Sequence, residues 1–320
     1  MEEAIKNFAT QFSFRPEIQN AATFRKPARL VVAGMGGSHL AADLLSAYDP
    51  NIAVHVHRDY GLPAIGGDLT DVLFVASSYS GNTEETLDFA REAYARKLNL
   101  AVVAVGGKLI EFARKNKLPH IVLPDTCIEP RSALGFSITA LATFSGNKKM
   151  LRELSMLETK LKPAALRAAG KTLAKTLQGS VPVIYSSARN QGIAYNWKIK
   201  FNETGKVPAF YNVFPELNHN EMTGFDIIPT TSALSEKFHF IFLTDIADHS
   251  QIKKRMAVCK KLYENRGLTV TTIPLSGTAV LEKIFNSLLL ADWAALYTAK
   301  FYGASPDGVP MVEEFKRLIA

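Results

Sequence analysis

The chain has 320 residues, of which 47% are hydrophobic and 21% are charged, and 37 Lys and Arg against 30 Asp and Glu give it a net charge of +7. This composition excludes a disordered chain or an extended coil, and the length allows two domains that each bury a core. The positive charge is spread along the chain with no basic patch among aromatic residues, so an anionic small substrate is predicted in preference to nucleic acid.

Short apolar runs alternate with helical patterns through the first half of the chain. The predicted strands are RLVVAG, IAVHVH, DVLFVAS, LAVVAVG and HIVLP, and helices are predicted from Ser38, from Asn82 and near Leu109. Strands separated by helices indicate right-handed crossovers and a parallel sheet covered on both faces. We therefore predict an α/β fold of the doubly wound, flavodoxin-like kind.

A polar helical stretch from about residue 147 separates this half from a weaker repeat of the same pattern. Strands are predicted there at VPVIYSS, PAFYNV, HFIFLT and LTVTTIPL, and the chain closes with MVEEFKRLI, a helical pattern that is apolar on one face. We predict two related α/β domains, residues 1–150 and 151–320.

Nothing in the sequence predicts export, a membrane span or a metal site. The N-terminus is acidic and lacks the apolar core of a signal peptide. The most apolar late stretch contains Asn286, Asp292 and Lys300, so it is predicted to be a buried helix. Cys127 and Cys259 are too far apart for a metal or redox motif. We expect a cytoplasmic protein with free thiols.

Polar residues follow two of the predicted strands. After the first, Gly36 and Gly37 lie in a tight turn that can present backbone N–H groups to an anion. After the third, SSYSGNTEET places Ser78, Ser80 and Thr83 at the start of a helix, whose first N–H groups have no partner within the helix. Ligands of open α/β sheets bind at the carboxyl ends of the strands, so these hydroxyls are predicted to hold a phosphate.

The glycine turn also partly matches a dinucleotide-binding fingerprint. Gly34 and Gly36 supply its first two glycines, but His39 occupies the third position. His57 and Arg58 stand where an acid should bind the ribose of a nicotinamide cofactor. The dinucleotide hypothesis is therefore the weaker one, and no cofactor is predicted.

The serine-rich turn has a simpler interpretation as well. Asn82 or Thr83 could cap the helix, with Glu84 and Glu85 as acids of the first turn. Capping would explain one of the polar side chains but not the run of serines before it.

Together the two loops resemble the sugar-phosphate-binding site of the sugar isomerase (SIS) domain family, whose domains often occur in tandem. KFNETGK (residues 200–206), PELNHNEMTG (215–224) and PRSALGFS (130–137) resemble the bifunctional phosphoglucose/phosphomannose isomerases. RDYGLP and the closing sequence are also similar to that family, so the resemblance spans nearly the whole chain. It implies an enzyme of carbohydrate metabolism that interconverts glucose-6-phosphate, and also mannose-6-phosphate, with fructose-6-phosphate without a metal ion.

The resemblance implies a role for individual residues. Glu203 would be the base that moves a proton between C2 and C1, and Arg131 would stabilise the enediolate. His219, contributed by the partner subunit of a homodimer, would open the sugar ring with assistance from Lys300. The residues implied in phosphate binding are Gly36, Gly37, Ser38, Ser78, Ser80 and Thr83.

Three alternatives remain open. A non-catalytic sugar-phosphate sensor would keep the phosphate loop but would not need Glu203, His219 and Arg131 together. Glu221 also follows an asparagine, and only the resemblance favours Glu203. Members of the family that accept mannose-6-phosphate are expected to carry a threonine where this chain has Trp293–Ala295, so activity on glucose-6-phosphate is the firmer expectation.

Overall fold

The computed structural model describes residues 1–319. It divides into two compact units, which we call the N-terminal unit (Lys6–Lys162) and the C-terminal unit (Pro163–Ala320 together with Met1–Ile5). A division at residue 150 would cut the helix Lys148–Lys160, which lies wholly within the N-terminal unit.

Five parallel strands in the order β2-β1-β3-β4-β5 form the sheet of the N-terminal unit. They are β1 (Arg29–Ala33), β2 (Ala53–His57), β3 (Val72–Ser77), β4 (Leu100–Ala104) and β5 (His120–Val122). The helices of this half of the chain are α1 (Glu2–Lys6), α2 (Leu40–Tyr48), α3 (Glu84–Ala95), α4 (Gly107–Lys115), α5 (Leu134–Ser145) and α6 (Lys148–Lys160). Every residue of β3 and β4 is buried, as expected of central strands covered on both faces.

Four parallel strands in the order β7-β6-β8-β9 form the sheet of the C-terminal unit. They are β6 (Val181–Ser187), β7 (Phe210–Phe214), β8 (Phe238–Thr244) and β9 (Thr269–Pro274). The helices are α7 (Arg167–Thr176), α8 (Gln191–Glu203), α9 (Glu221–Gly224), α10 (Ser232–Ser235), α11 (Ser250–Glu264), α12 (Val280–Phe301) and α13 (Pro310–Ile319). The predicted α/β class with two parallel sheets is confirmed.

Both sheets reverse their strand order at an equivalent place. The first strand of each unit lies between the second and the third, so β1 lies between β2 and β3, and β6 lies between β7 and β8. A crevice at the carboxyl ends of the strands is expected at each reversal, beside β1 and β3 in one unit and beside β6 and β8 in the other.

The last two helices differ in burial. The late apolar stretch is a buried helix, α12, as predicted. It packs on α7 and α8. Within residues 1–319, no helix combines the length and the apolar character that a membrane span requires. α13 is amphipathic, and its apolar residues Met311, Phe315 and Leu318 are exposed on the single chain.

Candidate functional site

The two predicted phosphate loops lie together in the N-terminal unit. The glycine turn after β1 is a single 3-10 turn, Gly36–Ser38, and the serine loop follows β3. The Ser77 hydroxyl donates to the carbonyl of Ser38 at 2.9 Å, and the Tyr79 N–H donates to the Ser38 hydroxyl at 2.9 Å. Side-chain and backbone hydrogen bonds thus hold the two loops against each other.

Hydroxyl groups converge in the serine loop. Ser78 Oγ and Thr83 Oγ1 are 2.8 Å apart and share a hydrogen bond, and Ser78 Oγ also accepts the Gly81 N–H at 3.1 Å. Ser80 Oγ accepts a backbone N–H at 3.2 Å. Ser78 is 1% exposed, Thr83 is half-buried and Ser80 is exposed, so the hydroxyls run from the protein interior to the solvent.

Capping does not explain these side chains. Thr83 is the N-cap residue of α3, yet its side chain accepts no capping hydrogen bond from the helix. The Asn82 side chain bonds away from α3, since its Oδ1 accepts the Lys108 N–H at 3.1 Å. The helix begins at Glu84, two residues later than predicted, and its first N–H groups keep their capacity to bind an anion.

Two glycines in these loops have no room for a side chain. A Cβ on Gly81, which has a φ of +72°, would lie 1.8 Å from the carbonyl oxygen of Gly106. A Cβ on Gly37 would lie 2.6 Å from the backbone nitrogen of Arg131. Gly36 has a φ of +52° and faces open space, so its backbone stays accessible to a ligand.

Arg131 lies beside the glycine turn within the same unit. It occupies the 3-10 turn Pro130–Ser132 and is 1% exposed, so it is a buried arginine and not a surface one. Its Nη1 lies 3.2 Å from Glu129 Oε2. Gln11, itself buried, donates to the Ser132 carbonyl at 2.7 Å and so fixes the turn.

His39 and Arg58, which do not fit the dinucleotide-binding fingerprint, both contact Asp43. His39 is 1% exposed, and its Nδ1 lies 2.9 Å from Asp43 Oδ2. The other carboxylate oxygen of Asp43 accepts from Arg58 at 2.7 Å. A buried imidazole therefore occupies the position of the third glycine, beside the helix N-terminus that a dinucleotide pyrophosphate would need.

In the C-terminal unit, Glu203 is the last residue of α8 and is half-buried. Its backbone carbonyl accepts from Lys206 Nζ at 2.6 Å, and the same ammonium donates to the carbonyl of Gly308. Gly205 has no room for a Cβ, which would lie 2.7 Å from the Phe201 carbonyl oxygen. The KFNETGK motif therefore forms a tightly restrained helix end that carries a carboxylate.

Glu221 occupies a different environment. Tyr185 donates to one of its carboxylate oxygens and Asn212 Nδ2 donates to the other. Burial and the hydrogen bond to Glu221 both raise the pKa of Tyr185, so the phenol stays protonated as a donor. Both carboxylate oxygens of Glu221 therefore accept hydrogen bonds from side chains of its own unit, one of them from the buried Tyr185.

The remaining predicted residues of this unit lie on separate elements. His219 follows the 3-10 turn Glu216–Asn218 and is exposed on the single chain. Lys300 lies in the last turn of α12 with its side chain 45% exposed, and its Nζ is 2.7 Å from Glu2 Oε2. Neither side chain lies in the buried core of the unit.

The middle of α12 packs closely on α7. Trp293, Ala294 and Ala295 are fully buried in the middle of the helix, and a Cβ on Gly170 of α7 would lie 2.3 Å from Trp293 Cβ. α12 begins at Val280, so these residues lie more than three turns from its start. The missing side chain of Gly170 lets α7 pack closely on α12 at Trp293 and Ala294.

One polar pair was missed by the sequence reasoning. Lys200 Nζ lies 2.6 Å from Asp292 Oδ1, and the side chains are 1% and 6% exposed. Asp292 had been noted only as an interruption of an apolar stretch. A buried charge requires a partner, but the two residues lie 92 positions apart and nothing local connects them.

Polar residues also lie at the reversal of strand order in the C-terminal unit, after β6 and β8. After β6, Asn190 Nδ2 reaches Asp248 Oδ1 at 3.4 Å, and after β8, Asp245 Oδ1 pairs with Lys283 Nζ at 2.6 Å. Burial raises the pKa of Asp248 overall, although hydrogen bonds from Ser187 and from the Asp245 N–H act in the opposite direction. Burial alone would raise the pKa of Asp245, but the bonds from Lys283 and the Ala247 N–H lower it overall. Carboxylates therefore lie here together with the cations Lys283 and Arg189, in contrast to the hydroxyl-rich loop of the N-terminal unit.

Known proteins share both the sequence and the fold. The family model of the bacterial phospho-glucose isomerase C-terminal SIS domain matches residues 167–319. The bifunctional phosphoglucose/phosphomannose isomerase of Aquifex aeolicus is 31% identical over 99% of this chain and 98% of its own length. The protein of the same name from Caldicellulosiruptor bescii is 33% identical over 91% of this chain and 89% of its own length.

Among solved structures, glucosamine-6-phosphate deaminase from Thermotoga maritima has the same fold, with a TM-score of 0.65 at 14% identity, and covers 95% of this chain and 94% of its own. The likeness in fold and the sequence identity over nearly the whole length agree with the paired phosphate loops described above. The chain belongs to the family of bifunctional phosphoglucose/phosphomannose isomerases.

Proposed function

We propose that this protein is an aldose–ketose isomerase that interconverts glucose-6-phosphate with fructose-6-phosphate, and mannose-6-phosphate with fructose-6-phosphate. Membership of the family supports the reaction class. The observation that carries the proposal is the loop around Ser78 and Thr83, where paired hydroxyls adjoin an uncapped helix N-terminus. Such a site suits a phosphate dianion, because hydroxyls and backbone N–H groups donate to it and the helix dipole favours its charge.

The chemistry needs a base and a counter-charge in addition to the phosphate anchor. Glu203 takes the proton from C2 of the open-chain aldose and returns it to C1, so that one carboxylate serves both steps. The guanidinium of Arg131 stabilises the negative charge that develops on the enediolate oxygens. Because C2 becomes planar in the enediolate, both epimers at C2 can give the same ketose.

Ring opening is assigned to His219 with assistance from Lys300. An imidazole titrates near neutral pH, so it can take the proton of the C1 hydroxyl and return one to the ring oxygen. His219 is exposed on the single chain, which suits a residue that a partner subunit supplies. We propose a cytoplasmic homodimer in which each His219 serves the partner's site.

The test is a coupled assay of fructose-6-phosphate formation from glucose-6-phosphate and, separately, from mannose-6-phosphate, with EDTA present. Wild type is compared with Glu203→Gln and with the matched control Glu221→Gln. We expect Glu203→Gln to lose about 100- to 10,000-fold in kcat, the usual contribution of a general base. Glu221→Gln should keep most of the activity and melt at a lower temperature, because Tyr185 and Asn212 lose a charged acceptor.

Three outcomes would contradict parts of the proposal. Tight sugar-phosphate binding without turnover by the wild type would favour a sensor. Loss of activity on EDTA treatment would contradict the metal-free mechanism. A collapse in Glu221→Gln with an active Glu203→Gln would transfer the role of base to Glu221.

A further inference from the structure

The Lys200–Asp292 ion pair is deeply buried, with side chains 1% and 6% exposed and 2.6 Å between Nζ and Oδ1. Buried ion pairs add little net stability, because removing both charges from water costs about as much as their attraction returns. The proposed reaction steps do not use this pair. Stability therefore does not explain why this ion pair lies in the core between α8 and α12, and we expect another role of the pair.

The pair lies one helical turn before the proposed base. Lys200 and Glu203 are three residues apart on α8, so their side chains lie on neighbouring positions of one helix face. The backbone carbonyl of Lys200 accepts the N–H groups of Thr204 at 2.9 Å and Gly205 at 3.0 Å, which closes the end of the helix. The residue that anchors α8 to α12 through its side chain thus also closes, through its backbone, the turn that holds Glu203.

The following residues restrain the same turn from the other side. Lys206 Nζ donates to the Glu203 carbonyl at 2.6 Å, and Asn202 Nδ2 donates to the Val207 carbonyl at 3.0 Å. These bonds hold the turn to itself and to the segment at Gly308. Trp197 Nε1 donates to Ser287 Oγ of α12 at 2.9 Å one turn earlier in α8, so the bond of Lys200 with Asp292 is the tie to α12 that lies nearer to the turn.

We propose that the Lys200–Asp292 ion pair is a positioning device that fixes the carboxylate of Glu203 for proton transfer. This inference rests on the proposed role of Glu203 as the base. Without the pair, the last turn of α8 loses its nearest tie to α12, although Trp197 still bonds to Ser287 one turn earlier, and the carboxylate is displaced or becomes mobile. Displacement of a reacting group by about 1 Å costs on the order of 100-fold in rate, whereas substrate binding through the distinct phosphate loop is unaffected.

The test compares two double variants that each replace a Lys–Asp pair by apolar residues of similar size. Lys200→Met with Asp292→Leu removes the anchor. Lys283→Met with Asp245→Leu is the matched control, because that pair also joins α12 to another element at 2.6 Å. Lys200→Leu with Asp292→Val is a second double variant in case the first does not fold, because replacing Asp292 alone would leave the buried Lys200 ammonium unpaired. Melting temperature, kcat, KM and amide hydrogen exchange of residues 201–207 are measured for each, beside wild type and Glu203→Gln.

We expect the Lys200/Asp292 variants to fold, to keep KM within about twofold, and to lose about 10- to 100-fold in kcat, as a misplaced catalytic group does. Exchange at Thr204 and Gly205 should become faster in these variants and stay unchanged in the control. Wild-type kcat and exchange in a folded Lys200/Asp292 variant would overturn the inference. A wild type that does not isomerise would refute the proposed function instead, and the exchange data would still decide whether the pair restrains the turn.

Discussion

At the scale of single residues, two threonines on the same helix start have opposite surroundings. Thr83 Oγ1 bonds Ser78 Oγ at 2.8 Å in the proposed phosphate site. Thr86, one turn later, is 1% exposed, and its hydroxyl has no hydrogen-bond partner within residues 1–319. A buried hydroxyl without a partner costs free energy, whereas one that faces a phosphate contributes to binding.

Valine replaces a threonine hydroxyl at nearly constant volume, so the two positions can be compared directly. We expect Thr83→Val to raise KM for glucose-6-phosphate about 10- to 100-fold, because the variant loses a hydrogen bond to a charged group and the binding free energy that it contributes. Thr86→Val should leave KM unchanged and raise the melting temperature slightly. Steady-state kinetics and thermal denaturation of both variants check this, and an unchanged KM in Thr83→Val would remove Thr83 from the site.

The parts of the site that could be predicted from the sequence are those whose residues carry a local signal. The hydroxyl run Ser78–Thr83 was recognisable because strand and helix signals place it at the carboxyl edge of a parallel sheet. The helix starts were predicted two residues early, at Ser38 and Asn82, because both side chains look like caps but bond across to neighbouring loops. Partners that are distant in sequence, such as Tyr185 for Glu221, leave no local signal.

At the scale of secondary-structure elements, central strands and amphipathic helices were the most predictable. β3 and β4 follow apolar runs of the sequence, and α13 is the amphipathic helix that MVEEFKRLI predicts. The interior of α12 was less predictable, because whether Asp292 interrupts a helix or anchors it depends on Lys200 of another helix. Burial of a charge follows from tertiary contacts, which periodicity does not encode.

The loop after β8 gives a prediction for the pH dependence of stability. Asp248 has a raised pKa in the folded protein, so its protonated form is favoured, and it contributes stability that is lost as pH rises from its ordinary pKa through the raised one. We expect the stability difference between Asp248→Asn and wild type to grow in favour of the variant over that window. Urea unfolding at a series of pH values above 4 measures it.

Asp245→Asn is the control for this prediction, because its pKa is shifted in the opposite direction. A lowered pKa contributes stability that is present above the ordinary pKa, so this variant should be less stable than wild type throughout the window. A wild-type profile parallel to that of Asp248→Asn would contradict the raised pKa of Asp248, and an Asp245→Asn variant as stable as wild type would contradict the lowered pKa of Asp245.

At the scale of the whole molecule, the proposed dimer can be tested by mixing two inactive variants. Glu203→Gln and His219→Ala each damage both sites of a homodimer. If His219 serves the partner's site, a mixed dimer has one site with both residues intact. Random reassociation should then restore about a quarter of the wild-type activity, since half of the dimers are mixed and one site of each works.

The measurement is the activity of the two variants after dissociation and reassociation together, with each variant treated alone as the control. If His219 serves its own chain, every site in the mixed dimer lacks one group and no activity returns. A monomer by light scattering would refute the proposal without the mixing experiment.

The two sheets reverse their strand order in the same way, but different polar residues lie at the two reversals. Asp245 and Asp248 fill the C-terminal crevice with carboxylates that bond to Lys283 and Asn190. Natural substitutions at the two places should therefore be limited by different requirements. Substitutions around Ser78 and Thr83 are tolerated only if a ligand still binds, whereas the polar set after β8 can change as a group, provided that each replacement still satisfies its neighbours.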